Sequence, residues 1–245
     1  MSMLHTRGIV FRTVRYGETS VIADVFTEEK GLLTFIAGSV RTARLRMPFG
    51  LFQPMTILDT VSYYSSKPGG GMHRLKEARI AEPFRAIPFD ARRGGVALFM
   101  AEVCRKCVRE SEANPGLFGF LLDYLRVLDD AALAPTHLPA HFLAHFSAMI
   151  GFLIEPPALP SPALRFYPRE GVFDLHRAPD SPGDSGASLH LLALLETPLD
   201  QVHTLKAARE IRKSAFEALL LFYQTHVPDF GNLRSPEVLE WVLRG

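Results

Sequence analysis

The sequence is poor in cysteine and has no long hydrophobic run. Its 245 residues include only two cysteines, Cys104 and Cys107, which argues against a disulfide framework and fits a reducing compartment. No run of about 18 apolar residues occurs, so no membrane span is predicted. The first residues carry Arg7, Arg12 and Arg15 without an apolar segment, unlike a secretory signal. We therefore expect a cytoplasmic protein with no membrane partner.

The short motifs of common catalytic and nucleotide-binding sites are also missing. The sequence has no GxxxxGK[ST] loop, no GxSxG and no dinucleotide fingerprint. Cys104 and Cys107 form a CxxC pair, but they fall inside a predicted amphipathic helix. A redox pair belongs at a helix start, where the dipole lowers the thiol pKa. We expect both cysteines to pack, and we expect no enzymatic activity.

Charge is distributed unevenly along the chain, although the net charge is only +1. Residues 1–80 hold 11 Lys and Arg against 6 Asp and Glu, whereas residues 81–245 hold 16 against 20. A basic first third followed by a mildly acidic remainder indicates that one domain meets phosphate and the other has different work.

The first 80 residues read as five short strands. Alternating segments rich in Val, Ile, Phe and Thr are separated by turns at Tyr16-Gly17 and Lys30-Gly31. The strands are predicted at 5–14, 18–27, 31–38, 55–65 and 72–80. This pattern fits an OB-fold β-barrel, which binds single strands and oligomers. An SH3-like barrel would give a similar pattern, and periodicity does not separate the two.

The remaining residues read as mainly helical. Asp90 and the pair Asn114-Pro115 are helix-start signals, the second placing Asn at the N-cap and Pro at the first helical position. Helices are predicted at 90–110, from 115, at 139–153, 187–196 and 204–226, and from Ser235-Pro236 to Trp241. Residues 164–176 read as a short β-hairpin. The predicted class is therefore α+β: a five-stranded OB barrel, then a helical domain with a hairpin insertion.

The wording of both halves resembles the RecO family. The first half reads GIVxRTxxYGETSxIxxVFTxExGLLxFxAxxxR, followed by LFQPxTxLD. Residues 87–122 read IPFDxRxxxxALFxxEVxxKxxRExEANPxLFxFL, and REGVF and VPDFGNLRSPEVLEWVL follow later. The resemblance implies an OB-fold DNA-binding domain at 1–80 and a helical protein-interaction domain at 81–245. Many family members carry a four-cysteine zinc module near 160–185; here no cysteine occurs there, so we expect no metal and no cofactor.

A basic loop is the main candidate for DNA contact. Arg41, Arg44 and Arg46 follow the third predicted strand, and guanidinium groups match phosphate oxygens bidentately. Arg12, Arg15 and Lys30 are predicted to extend this patch. Exposed rings would stack on bases, and the candidates are Tyr16, Tyr63 and Tyr64. Phe11, Phe26 and Phe35 lie in alternating apolar strands and are expected in the core.

Two further sets of residues were weighed for the helical domain. His137, His141 and His145 recur every four residues, which places them on one helical ridge. Paired histidines at this spacing can bind zinc, but no Glu or Asp accompanies them and there is no HExxH motif. The resemblance implies a pocket for the acidic, Phe-ended tail of the single-strand-binding protein SSB. The tentative groove for that tail consists of Arg92, Arg93, Phe99, His141 and Phe142.

The resemblance implies a bacterial, cytoplasmic and nucleoid-associated DNA repair and recombination mediator. It would bind single- and double-stranded DNA, promote annealing, and help to load RecA onto SSB-coated strands together with RecR. One alternative is an OB-fold scaffold that binds proteins instead of DNA. Another is a nuclease or deaminase that uses the histidine ridge, which would need a metal.

Overall fold

The computed structural model describes residues 2–38, 47–65, 71–157, 161, 163–175 and 185–236. The chain divides into two compact units. We call Met1–Asp129 the barrel unit and Asp130–Gly245 the helical unit. Within the described ranges, no helix has the length and apolar character needed to cross a membrane.

The barrel unit begins with five strands that close on themselves. The strands are β1 (Ser2–Tyr16), β2 (Ser20–Thr27), β3 (Gly31–Ala37), β4 (Ile57–Tyr64) and β5 (His73–Glu82). Their order around the closed barrel is β1-β2-β3-β5-β4. β1 pairs antiparallel with both β2 and β4, and a short parallel pairing of β3 with β5 completes the ring. This connectivity is that of the predicted OB fold.

Alternation along the strands builds the barrel core. Every second residue of β3 is buried, because successive side chains of a strand point to opposite faces. The interior includes Val10, Val25, Leu33, Phe35 and Leu58. Phe11 and Phe26 are also buried and their rings stack at 5.6 Å. The expectation that Phe11, Phe26 and Phe35 are core residues is confirmed.

Two glycines allow the tight turns that the sequence predicted. Gly17 and Gly31 have φ values of 62° and 64°, in the left-handed region that glycine adopts without steric cost. A Cβ on Gly31 would also overlap the backbone of Glu112. The turn between β2 and β3 therefore approaches the chain that follows the first helix closely.

Two helices belong to the same compact unit as the barrel. They are α1 (Ala91–Cys107) and α2 (Pro115–Asp129). The Asp90 carboxylate accepts from Arg92 N, and Asn114 Oδ1 accepts from Leu117 N, so both predicted N-caps are confirmed. Leu32 N donates to the Glu110 carbonyl at 3.0 Å.

An ion-pair chain runs from the barrel strands to α2. Arg7 pairs with Glu28 at 2.9 Å and lies 3.7 Å from Glu82, which pairs with Arg126 at 2.7 Å. The Arg7 guanidinium also lies 5.6 Å from the centroid of the Phe118 ring. The compact unit thus extends past residue 80 to Asp129; the functional division predicted at 80/81 stays a prediction.

The helical unit contains three helices and a short hairpin among its described residues. The elements are α3 (Leu138–Met149), β6 (Arg165–Tyr167), β7 (Val172–Asp174), α4 (Ser185–Glu196) and α5 (Arg209–His226). Tyr223 Oη donates to the Leu143 carbonyl at 2.8 Å and ties α5 to α3. The helix predicted from 204 begins at Arg209, because Leu199–Thr204 forms a separate 3-10 helix. Most of the last predicted helix, with Trp241, lies outside the described residues.

The predicted hairpin is formed by β6 and β7. Phe166 of β6 is buried and its ring lies 5.0 Å from Phe173 and 6.3 Å from Phe222. Phe166 N donates to Ser188 Oγ at 3.0 Å. Aromatic packing against α4 and α5 holds this hairpin in position.

Candidate nucleic-acid interface

A row of cross-strand partners lies on the outer face of the barrel. Val14 is opposite Ile22, Ile22 is opposite Ile36, and Ile36 is opposite Arg74. Directly opposite residues share one face of a sheet. Val14 and Arg74 are exposed, whereas Ile22 and Ile36 are half-buried. We call these four residues the outer row.

Two tyrosines border the outer row. Tyr63 is the β4 partner of Arg74 and is 39% exposed. Tyr16 lies two residues beyond Val14 on β1 and is 52% exposed. With strands about 4.8 Å apart, the face from β1 to β4 spans about 19 Å. An apolar strip between two exposed phenol rings is suited to stacking several bases.

A second row of cross-strand partners on this face contains residues of both charges. Arg12 is exposed and lies opposite Asp24, which lies opposite Thr34. Thr34 Oγ1 donates to the Asp24 carboxylate at 2.9 Å. The Thr34 hydroxyl thus provides one hydrogen bond to the Asp24 carboxylate. The positively charged Arg12 lies opposite Asp24 on the neighbouring strand.

Arg15 lies where the predicted basic loop rejoins the fold. Its guanidinium carbon is 5.7 Å from the ring centroid of Phe49, which follows the loop shortly after Met47. Ala37, the partner of Val21 in the β2–β3 pair, precedes the loop at the same end of the barrel as Tyr16. The three loop residues Arg41, Arg44 and Arg46 lie outside the described residues, so their contact with DNA stays a prediction.

Lys30 is separate from Arg12, Arg15 and Tyr16. It lies in the β2–β3 turn, at the opposite end of β2 from Tyr16 and Arg15. Its ammonium group is 5.7 Å from the centroid of the Tyr64 ring. Arg12 and Tyr16 share the outer face of β1, Arg15 lies on the other face of β1 beside the same turn, and Lys30 lies at the opposite end of β2.

The two neighbouring tyrosines of β4 differ in environment. Tyr64 packs against the barrel core and stacks on His73 with ring centroids 5.0 Å apart. Burial lowers the pKa of His73, so that its ring is neutral at pH 7. Tyr63 points outward beside Arg74. The structure thus selects Tyr63 as the stacking candidate of the pair.

Sequence reasoning missed Arg74 and the half-buried isoleucines of the outer row. The signal was present in β5, where His73, Arg74, Leu75 and Lys76 alternate between buried and exposed positions. The alternation assigns Arg74 and Lys76 to the outer face. It does not reveal that β3 is the neighbour of β5, which brings Arg74 beside Ile36.

The five residues of the tentative SSB-tail groove fall in different units and are mostly buried. Arg92, Arg93 and Phe99 belong to the barrel unit, and His141 and Phe142 belong to the helical unit. Phe99 and Phe142 are fully buried, and Arg93 donates to the Leu128 carbonyl at 2.6 Å from a buried position. Of the five residues, only Arg92 is exposed. The other four side chains are buried inside the fold.

Two histidines of α3, His141 and His145, are hydrogen-bonded to backbone carbonyls, and His137 lies in the 3-10 helix Pro135–His137 before α3. His141 Nε2 is 2.9 Å from the Thr197 carbonyl, and His145 Nε2 is 3.1 Å from the Leu194 carbonyl. The pKa of His141 is lowered to about 4, mainly by burial; the hydrogen bond to Thr197 opposes this effect and the neighbouring His145 adds to it. His141 is therefore an internal neutral residue and does not border a surface groove.

The remaining candidates for chemistry are inert in this environment. Cys104 is buried, and burial raises the pKa of the Cys107 thiol to about 12, so both stay thiols near pH 7. In the described part of the chain, no three His, Cys, Asp or Glu side chains group as metal ligands. The prediction of a zinc-free protein awaits elemental analysis.

Comparison with known proteins agrees with the resemblance in the sequence. The family model "Recombination protein O N terminal" matches residues 1–84, and "Recombination protein O C terminal" matches residues 88–156. Relatives named DNA repair protein RecO include that of Phocaeicola vulgatus, 29% identical over 96% of this chain and 97% of its own. Those of Bacteroides fragilis and Christiangramia forsetii are each 28% identical, over 96% and 97% of this chain and 97% and 98% of their own. The chain belongs to the RecO family.

Proposed function

We propose that this chain is a non-enzymatic DNA repair and recombination mediator whose barrel binds single- and double-stranded DNA. The observation that supports this most is the outer row on a closed OB barrel, in which apolar Val14, Ile22 and Ile36 lead to Arg74, with Tyr16 and Tyr63 at its borders. Family membership supports the repair role, because the relatives carry the name DNA repair protein.

The two kinds of contact in this proposal have different roles. Guanidinium groups of Arg12, Arg15 and Arg74 bind phosphate, which gives affinity without sequence preference. The phenol rings of Tyr16 and Tyr63 stack on unpaired bases, and each stack contributes about 1–3 kcal/mol. Duplex DNA offers the phosphates but not the base faces, so single strands bind more tightly.

We propose that protein partners use the helical part of the chain, residues 81–245. By family resemblance the partners are RecR and the C-terminal tail of SSB, and RecA is reached indirectly when it is loaded. Two weak attachments, one to a strand and one to the SSB that coats it, act together as one strong attachment. Annealing of two strands is part of the same proposal, at the bacterial nucleoid.

A protein-binding scaffold is the second candidate function. The half-buried Ile22 and Ile36 support it, because an exposed apolar strip also suits a protein partner. This candidate predicts no affinity for oligonucleotides. It also predicts that the charge of Arg74 does not affect DNA association.

Fluorescence anisotropy with a labelled oligonucleotide tests the proposal at the outer row. We expect Arg74→Ala to reduce the slope of log K against log salt by about 0.7, the value for one phosphate contact of a single strand. Arg79→Ala is the matched control on the same strand, since its side chain is 81% exposed and pairs with Asp59 away from the outer row. Equal effects of the two substitutions would contradict a DNA site at the outer row.

A further inference from the structure

The turn that enters α1 presents an aromatic ring to solvent. Phe89 is 84% exposed, more than any other large hydrophobic side chain among the described residues. Burying a ring of this size is ordinarily favourable.

The turn that carries Phe89 is firmly held. The Asp129 carboxylate accepts hydrogen bonds from the backbone N–H groups of Arg85, Ala86 and Ile87 at 2.8, 2.8 and 2.9 Å. Phe89 N and Asp90 N both donate to the Ala86 carbonyl at 3.0 Å. The ring is therefore presented from a fixed backbone, which lowers the entropy lost when a ligand binds.

The exposed residues around Phe89 are cationic or small. Arg85 lies four residues before the ring and Arg92 three residues after it, and both are exposed. The Asp129 carboxylate is engaged by backbone N–H groups. The Asp90 carboxylate accepts from Arg92 N and also lies 3.7 Å from Arg92 Nε. The Arg92 side chain is 53% exposed and therefore remains accessible to a phosphate. The other exposed residues of the turn are Pro88 and Ala91.

This composition selects a nucleic acid base over a protein anchor pocket. A protein hot spot needs a surrounding ring of contacts that excludes water, and the turn offers no such apolar border. Base stacking needs only a ring face, with cations nearby for the flanking phosphates. The arginines on both sides of the ring meet that requirement.

We propose that Phe89, with Arg85 and Arg92, is a second single-stranded DNA contact on the barrel unit. Phe89 stacks on one base, and the two arginines bind the phosphates beside it. This inference rests on the proposed function, because it adds a contact for the same ligand. The site lies outside the outer row and its tyrosines, so each can be tested separately in the full-length chain.

The test measures the affinity of the full chain for an oligo(dT) of about 32 nucleotides, twice the upper end of the site size of one OB fold. We expect Phe89→Ala to weaken binding about 5- to 150-fold, the loss of one base stack. Phe89→Trp keeps an aromatic face and should bind like the unmodified chain. Leu98→Ala is the control, because Leu98 is 51% exposed on α1 and should not affect binding.

Cross-linking identifies the contact directly. An oligonucleotide that contains 5-iododeoxyuridine should give, on irradiation, a cross-linked peptide that includes Phe89. Arg85→Ala combined with Arg92→Ala should reduce the salt slope by about 1.4, the value for two phosphates. Unchanged affinity in Phe89→Ala, or weaker binding without a Phe89 cross-link, would overturn the proposal.

The two proposals fail in different ways. If Phe89→Ala binds like the unmodified chain while Arg74→Ala weakens binding, only the second contact is wrong. If Phe89→Ala weakens binding while Arg74→Ala does not, the outer row is not the DNA site and the Phe89 contact stands. If the unmodified chain does not bind the oligonucleotide, both are wrong.

Discussion

At the scale of single residues, we expect substitutions of the adjacent Tyr63 and Tyr64 to have different effects, the first on DNA binding and the second on stability. We expect Tyr63→Ala to weaken single-strand binding by about 1–3 kcal/mol, because its exposed ring is proposed to stack on a base. The free energy of unfolding of the Tyr63→Ala variant should differ from that of the unmodified chain by less than about 0.5 kcal/mol. Anisotropy and urea denaturation measure the two quantities.

Tyr64→Ala is the matched control for that prediction. Its ring packs on the barrel core and on His73, so we expect it to cost about 2 kcal/mol of stability. If Tyr64→Ala weakens DNA binding more than Tyr63→Ala at a temperature where both are folded, the assignment of the outer face is wrong.

The three arginines of the basic loop should act through phosphate alone. Replacing Arg41, Arg44 and Arg46 by Ala should reduce the salt slope for single strands by about 2, since each phosphate contact contributes about 0.7. Binding to single and double strands should weaken together, because backbone contacts carry no base information. An unchanged slope in a folded triple variant would mean that the phosphate track lies elsewhere.

Several residue-level features could be predicted from the sequence, and others could not. The burial of Phe35 follows from alternation along β3. The burial of His141 does not follow, because a helical ridge of histidines has the same spacing whether it faces solvent or α4. The carbonyl of Thr197 that holds His141 is 56 residues away in the chain.

At the scale of elements, Asp129 joins the end of α2 to the turn before α1. Its carboxylate accepts from three backbone N–H groups, and their loss leaves donors without partners. We expect Asp129→Ala to lower the free energy of unfolding by about 1–3 kcal/mol. Asp129→Asn keeps one acceptor oxygen and should cost less, as measured by urea denaturation.

Asp123→Ala is the control for the Asp129 prediction. Asp123 lies on the same helix, and its side chain is 67% exposed beside Arg126. Exposed ion pairs of this kind contribute at most about 1 kcal/mol. Equal losses of stability in Asp123→Ala and Asp129→Ala would contradict the role given to the Asp129 hydrogen bonds.

Element boundaries were predictable where a local signal sets them. The caps at Asp90 and Asn114 and the glycines of the tight turns fix helix and strand ends through contacts a few residues apart. The register of β3 on β5, which places Ile36 opposite Arg74, could not be predicted, because it joins strands that are distant in the sequence. The start of α5 was also missed, since Leu199–Thr204 turns as a 3-10 helix before it.

The buried histidines of the helical unit predict a loss of stability in acid. Burial lowers the pKa of His141 and of His190 to about 4, with His137 and Arg212 adding to the effect at His190. The unfolded chain takes up protons below about pH 6.5 whereas the folded chain does not. The contribution of each histidine to the free energy of unfolding is therefore fully present above about pH 6.5. It is lost as the pH falls toward 4, by up to about 3 kcal/mol per histidine.

Denaturation by urea from pH 7.5 to pH 4.5 checks this expectation. The comparison is the slope of stability with pH, because carboxylates elsewhere also titrate. His141→Gln removes one titrating group and should give a shallower slope than the unmodified chain, whatever its stability at pH 7.5. An identical slope would show that His141 is not held neutral by the fold.

At the scale of the whole molecule, the compact units and the predicted domains divide the chain differently. The barrel, α1 and α2 form one unit through residue 129, whereas composition and charge suggested a change of role at residue 80. Composition reports what a segment is made of. Composition does not show that Glu110 and Asp129 accept hydrogen bonds from Leu32 and Ala86, which lie much earlier in the same unit.

We propose that this chain binds single-stranded DNA through phosphate contacts, with an affinity that does not depend on sequence. One salt-titrated binding curve, recorded with the full chain and a labelled oligonucleotide of mixed sequence, tests that claim most directly. With at least three arginines on phosphate, log K should fall against log salt with a slope of at least about −2, and oligonucleotides of different sequence should agree. A slope near zero, or no binding at low salt, would contradict the account and favour a barrel that binds protein.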